Sequence, residues 1–212
     1  MSKNAKTNSI KNELTLFSIL GRIYDEDFIS LTIAYLLEKD IELVKKIIGF
    51  YKDKKCNNEL CGIENISEIE VKCKRITDYG KLNIFLVAKG ASKDIAIMIE
   101  NRIQKRERIT KSEEVQIDGC QRVVSKEYPN CYNIFCYLRP NWNKSDRGNK
   151  NFITIYYSEF LDMISKTDDV IIKNLQNHIK YYLVKEKIQV SENHALLIEP
   201  DMKTTDLFAK YK

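Results

Sequence analysis

Seven glycines and three prolines in 212 residues are too few for a collagen-like, linker-rich or low-complexity chain. No apolar run approaches the roughly 18 residues that a membrane-spanning helix needs, and the opening MSKNAKTNSIKNE lacks the apolar stretch of a secretion signal. These absences predict a soluble, cytoplasmic protein without a membrane partner. The chain has only two histidines, and its six cysteines (Cys56, Cys61, Cys73, Cys120, Cys131 and Cys136) form no CxxC pair, so the ligand set for zinc is poor. Free thiols in a reducing compartment are expected instead. Nor does one sign of charge dominate. The balance of 35 Lys+Arg against 30 Asp+Glu gives +5, too mild by itself to indicate nucleic acid.

What is present is apolar and aromatic: 43% hydrophobic residues, with 12 Tyr and 8 Phe, enough for one sizeable core. No internal repeat and no Pro/Ser-rich linker marks a boundary. A single domain over residues 13–190 is expected, with polar residues 1–12 as a flexible N-terminus and 191–212 as a tail packed on or extending from it.

Periodicity sets the element order. From Asp25, Phe28, Ile29, Ile33, Leu36 and Leu37 recur at helical spacing, with acids in the first turn where the helix dipole favours them. A second helix is predicted over Glu42 to Tyr51. Ile69, Val71 and Cys73 then alternate with Glu70, Lys72 and Lys74, as do Leu82, Ile84 and Leu86 with Asn83, Phe85 and Val87, which is the signature of strands. Ile95 to Ile99 is apolar throughout, as a strand buried on both faces would be. With short turns at Tyr79-Gly80 and Lys89-Gly90, these make an antiparallel meander. Ser112 can cap a helix running to about Lys126, ended by Tyr128-Pro129. Strands over Tyr132 to Leu138 and Phe152 to Tyr156 follow, then helices over Ser158 to Ser165 and from Asp168 to about Lys185, the latter with Ile172, Leu175, Ile179 and Tyr182 on one face. The fold class is mixed α/β.

Strand parity places Asn83 opposite Leu82 and Ile84, and gives Glu100 and Arg102 a common face, so the three can converge at one end of the sheet. A glutamate at the end of a buried strand costs several kcal/mol unless paired or liganded, which suggests a site. Basic residues gather in two places. Arg102, Lys105, Arg106, Arg108 and Lys111 face the single acid Glu107, and Arg139, Lys144, Arg147 and Lys150 form a second patch. Either is also what a solvated surface looks like.

The segments GKLNIFLV (80–87) and IAIMIENRI (95–103), followed by a helix carrying Gln116-Ile117, resemble the PD-(D/E)XK nuclease superfamily. The likeness is nearest to its bacterial branch, whose signature reads roughly G-R-I-D-I, I-E-N-K-I and Q-L-x-x-Y. It extends upstream to Glu26 opening a helix that runs into AYLL, and downstream to YSEFLDMI (157–164) and the helix from Asp168, covering about residues 20–185. The resemblance implies a restriction-endonuclease-like core: a helix, a three-strand antiparallel meander, a helix, a strand and C-terminal helices. It also implies a site in which Glu26, Asn83 and Glu100 surround Mg²⁺, Arg102 acts on the phosphate, and Gln116 is accessory.

Two positions depart from that pattern. Asn83 stands where the family has Asp, removing one formal negative charge from the metal ligands. Arg102 stands where it has Lys, and a guanidinium cannot give up a proton to act as a base. The expected function is therefore a pseudo-nuclease, non-catalytic or weakly active, that binds nucleic acid (DNA before RNA) or a protein partner in a phage or defence setting. The alternatives are a working Mg²⁺-dependent DNA nuclease, and an inhibitor or assembly module that uses the fold as a scaffold. Arg102, Lys105, Arg106, Arg108 and Lys111 are the expected nucleic-acid contacts, without the interleaved aromatics that base stacking would want.

Overall fold

A computed structural model of the chain describes residues 15–55, 65–103, 111–142 and 150–184. A short helix α1 (Leu16–Ile19) is capped by the Thr15 hydroxyl and buries Phe17. Helix α2 (Glu26–Lys39) starts where the Asp25 carboxylate accepts the Phe28 N–H, and it buries Ile29, Ile33, Leu36 and Leu37 at helical spacing. Helix α3 (Ile41–Lys55) follows. Strands β1 (Glu68–Thr77), β2 (Gly80–Lys89) and β3 (Ile95–Asn101) form the antiparallel meander that the sequence predicts. Helix α4 (Lys111–Glu127) then crosses over so that β4 (Tyr132–Arg139) pairs parallel to β3, and β5 (Ile153–Tyr156) pairs parallel to β4. The sheet order is β1-β2-β3-β4-β5. The chain continues through α5 (Tyr157–Met163), α6 (Val170–His178) and a π-helical turn over Ile179–Val184.

The sheet separates two apolar layers. Odd positions Ile95, Ile97 and Ile99 of β3 pack with Ile134, Cys136 and Leu138 against α2, α3, α5 and α6. Even positions Ala96 and Met98 join Phe85, Phe135, Tyr137 and Phe152 beneath Ile117, Cys120 and Val124 of α4. Each fully buried Ile or Leu contributes roughly 1.5–3 kcal/mol relative to exposure, so this two-sided burial of β3 fixes its register. Among the described residues no helix is long and apolar enough to cross a membrane, and Cys73, Cys120, Cys131 and Cys136 are thiols outside any disulfide. Cys56 and Cys61 lie outside the described residues, as do the segments predicted as flexible N-terminus (1–12) and as C-terminal tail (191–212).

Strict alternation fails at one place. Ile84 and Cys73 pack into the larger layer, yet Leu82 packs under α4 and the Arg75 guanidinium lies over Phe85, 5.3 Å from its centroid. Both strands thus change face between 73 and 75 and between 82 and 84, and Leu82 does not share a face with Ile84. The β3 ladder ends at Ile84↔Ile99, so the rest of the hairpin is a two-stranded ribbon, which twists more strongly than a sheet interior. Helix boundaries also shift. Ser112 lies inside the first turn of α4 rather than capping it, and Asp169, not Asp168, caps α6 by accepting the N–H groups of Ile171 and Ile172. Arg139 is buried at 3% exposure and does not belong to a solvated basic patch.

Candidate functional site

The C-terminal ends of the parallel strands β3, β4 and β5 and the start of antiparallel β2 lie at one end of the sheet. Pairing of Ile84 with Ile99 brings Asn83 alongside the last residues of β3, and its side-chain amide donates to the Asn101 carbonyl at 3.0 Å. Glu26, the first residue of α2, reaches the same strand end, where its carboxylate accepts the Ile103 N–H at 3.0 Å. Glu100 and Arg102 are mostly buried, and the Arg102 Nε lies 4.0 Å from the Glu100 Oε1. Arg102 is held in line with β4 by its own N–H, which donates to the Leu138 carbonyl at 2.9 Å. Glu26, Asn83, Glu100 and Arg102 therefore all stand around residues 100–103.

They approach from different sides. Glu100 continues the even series of Ala96 and Met98 and lies near enough to Cys120 of α4 for its charge to raise that thiol, after burial itself, which is the larger cause. Glu26 belongs to the opposite layer. Between the two sits a buried polar side chain, Asn101. It accepts from the Tyr157 hydroxyl at 2.6 Å, and donates to Ser30 Oγ at 3.0 Å and to the Glu26 carbonyl at 3.3 Å. Burial and the nearby Glu26 charge push the Tyr157 hydroxyl well above its ordinary pKa, with the Asn101 hydrogen bond opposing, so it stays a donor. One asparagine thereby ties α2, β3 and α5 together at the strand end. The sequence carried a signal for it, since Asn101 is polar in an odd series that is otherwise Ile95, Ile97 and Ile99.

Gln116 is half-buried on α4 and lies over the β1–β2 turn. A Cβ added to Gly80 would meet its side chain at 2.6–2.8 Å. Gly80 has φ +135°, open to glycine and strained for other residues, so the turn and the helix contact demand the same residue. Near it the Lys81 ammonium bridges both Asp27 carboxylate oxygens at 2.7 Å. Lys105, Arg106 and Arg108 lie outside the described residues, and Lys111 opens α4.

Chemically, the strand end offers two carboxylates, one amide and one guanidinium. Glu26 and Glu100 could supply oxygens to a hard cation, with the Asn83 side-chain oxygen as a neutral third ligand. Among the described residues there is no group of three His, Cys, Asp or Glu side chains placed to hold a metal ion. No protein-family model, curated protein or solved structure matches the chain.

Proposed function

We propose that the chain is a nuclease-fold protein with a degraded metal site that binds nucleic acid, DNA before RNA, and cleaves weakly or not at all. The strand end at residues 100–103 carries this reading. Asn83 and Glu26 both contact its backbone from flanking elements, and Glu100 and Arg102 project from it. Helix α2, the meander β1–β3, the crossover α4 and parallel β4 run in the order that the resemblance requires. Asn83 uses its amide as a donor to the Asn101 carbonyl, a structural contact that a carboxylate at this position could not make.

Mg²⁺ should bind wild type at about millimolar levels or weaker, because the strand ligands supply one carboxylate and not two. Calorimetry that finds micromolar affinity would refute the degraded site and favour a working enzyme. Asn83→Asp should tighten Mg²⁺, while without metal it should melt lower, since the carboxylate would face the Asn101 carbonyl with no proton to donate. Asn83→Asp combined with Arg102→Lys is the variant in which cleavage should reappear.

Fluorescence anisotropy with duplex and single-stranded DNA and RNA tests the binding. Affinity should fall with salt at a log–log slope of roughly −0.9 per phosphate contact on duplex DNA. Reversal of Lys105, Arg106 and Arg108 to Glu should abolish binding and leave the melting temperature nearly unchanged. No binding to any nucleic acid at low salt would overturn the reading in favour of a protein-binding module.

A further inference from the structure

At the same sheet end, next to β3, Tyr137 and Arg139 close β4. The guanidinium carbons of Arg102 and Arg139 lie over the Tyr137 ring, 5.3 Å and 4.6 Å from its centroid, and Phe152 stacks on that ring at 4.4 Å and 21°. We propose that Arg102 and Arg139 form a binding site for a terminal phosphate, the monoester at the end of an oligonucleotide or on a mononucleotide.

Three observations carry the proposal. The first is the juxtaposition of two guanidinium groups where water is scarce: Arg139 is 3% exposed, Tyr137 2%, and the Arg102 side chain 18%. Two guanidinium groups held over one ring can both donate to a single bound anion, and the Glu100 carboxylate, 4.0 Å from the Arg102 Nε, is the neighbour such an anion would have to displace. The second is the Arg102 Nε, a buried donor with no hydrogen-bond partner, for which the Glu100 carboxylate at 4.0 Å is too distant. An added acceptor would satisfy it. The third is position, because the site lies at the C-terminal ends of the parallel strands β3 and β4, where α/β sheets present their ligand crevices.

The geometry also selects the ligand class. A guanidinium presents parallel donors that match phosphate oxygens, and two of them match a dianion better than the single charge of a diester. Depth argues for an end group. A continuous backbone has to run across the surface, whereas a terminal monoester can project inward to reach residues as buried as these. The proposal rests on the nucleic-acid reading only for the identity of the molecule that carries the phosphate.

The test uses the full chain and labelled DNA oligonucleotides of one sequence that end in a 5′-phosphate, a 3′-phosphate, or hydroxyls only, with a nucleoside 5′-monophosphate and inorganic phosphate as competitors. One phosphate-ended form should bind about ten-fold more tightly than the hydroxyl-ended form, and the mononucleotide should compete. Arg102→Gln should erase the preference, and Arg139→Lys, which keeps the charge and loses the fork, should reduce it. Melting temperatures identify any variant that fails to fold. Arg102, the more exposed of the pair, keeps the test available if Arg139 variants do not fold. Equal affinity for all three ends, with no competition, overturns the phosphate site. If hydroxyl-ended DNA then still binds with steep salt dependence, the nucleic-acid reading survives alone. Competition between mononucleotide and phosphate-ended strand without hydroxyl-ended binding supports the phosphate site and removes the salt-dependent backbone contacts.

Discussion

His178 should make the protein's stability fall on mild acidification. It is fully buried on α6, between the Phe17 ring (4.3 Å, 21°) and the Tyr182 ring (5.0 Å, 27°). Its Nε2 lies 2.9 Å from the Ile23 carbonyl, which can only accept, so Nε2 carries the proton and Nδ1 faces the Thr15 hydroxyl at 3.4 Å as an acceptor. Burial pushes its pKa down to about 4 against an ordinary 6.5, and the hydrogen bond to Ile23 opposes this only in part. Between those values the unfolded chain binds a proton that the folded chain refuses, so stability rises with pH across the window and is lost as pH falls. A shift of this size corresponds to about 3 kcal/mol, most of it lost by about pH 4.5.

Urea unfolding of wild type and His178→Phe across the range from neutral to about pH 4.5 isolates the effect. Phe preserves the ring stack and leaves the Ile23 carbonyl unpaired, so at neutral pH the variant should be less stable by about 1–3 kcal/mol. On acidification the gap should close or reverse, because only wild type carries the titrating ring. Carboxylates add their own pH dependence at lower pH. At Asp169 burial pushes the pKa up, but hydrogen bonds from Ile172, Tyr35 and Ile171 outweigh it, and Glu70 is held low by Lys72. These terms are common to both proteins and cancel in the comparison. A gap that stays constant with pH would refute the account of His178 as a buried neutral clamp.

Asn101→Ala should cost about 2–3 kcal/mol by stranding the Ser30 and Tyr157 hydroxyls, and a double-mutant cycle with Tyr157→Phe should show coupling of about 1 kcal/mol. Chemical denaturation measures both. Gly119→Ala should destabilise by about 1–3 kcal/mol, because its Cβ would run into the Tyr79 ring. Tyr79→Ala in the same chain should recover part of the loss, as thermal melts would show. Gly80→Ala should cost more than Gly119→Ala, since it adds a strained φ to its contact with Gln116, and Gln116→Ala should relieve only the contact.

The fold was legible wherever one period held. Helix α2 and strands β1 to β3 follow from spacing alone, because a buried stripe of Ile and Leu has one geometry that hides it. Strand parity is the same in either direction and does not give the parallel place of β4; the signal for it was the helix predicted between the two strands, long enough for a crossover. The face change at Leu82 was not legible, since it comes from the ribbon twist of a hairpin released from β3. Helix α1 escaped because four residues are little more than one turn of the pattern. The Thr15 cap and the burial of Phe17 against His178 hold it in place.

The site was legible in part for the same reason that it is divided. Period two in β3 sends Glu100 to the α4 side, where Arg102, Tyr137 and Arg139 gather, and sends Asn101 to the α2 side, where Ser30, Tyr157 and Glu26 gather. A motif read along the chain joins these residues into one site, but the sheet lies between them. Only past the end of the strand, where the Glu26 carboxylate turns in to the Ile103 N–H, can a single ligand touch both sides. An ion shared by Glu26 and Glu100 would have to sit there, within reach of the Arg102 guanidinium. That cation would oppose the ion's charge at close range, whereas a phosphate in the same place would be drawn to it. On the proposed reading, the neutral Asn83 and the arginine at 102 are the two positions that turn this strand end from a divalent metal toward a phosphate, against the pull of the Glu26 and Glu100 carboxylates.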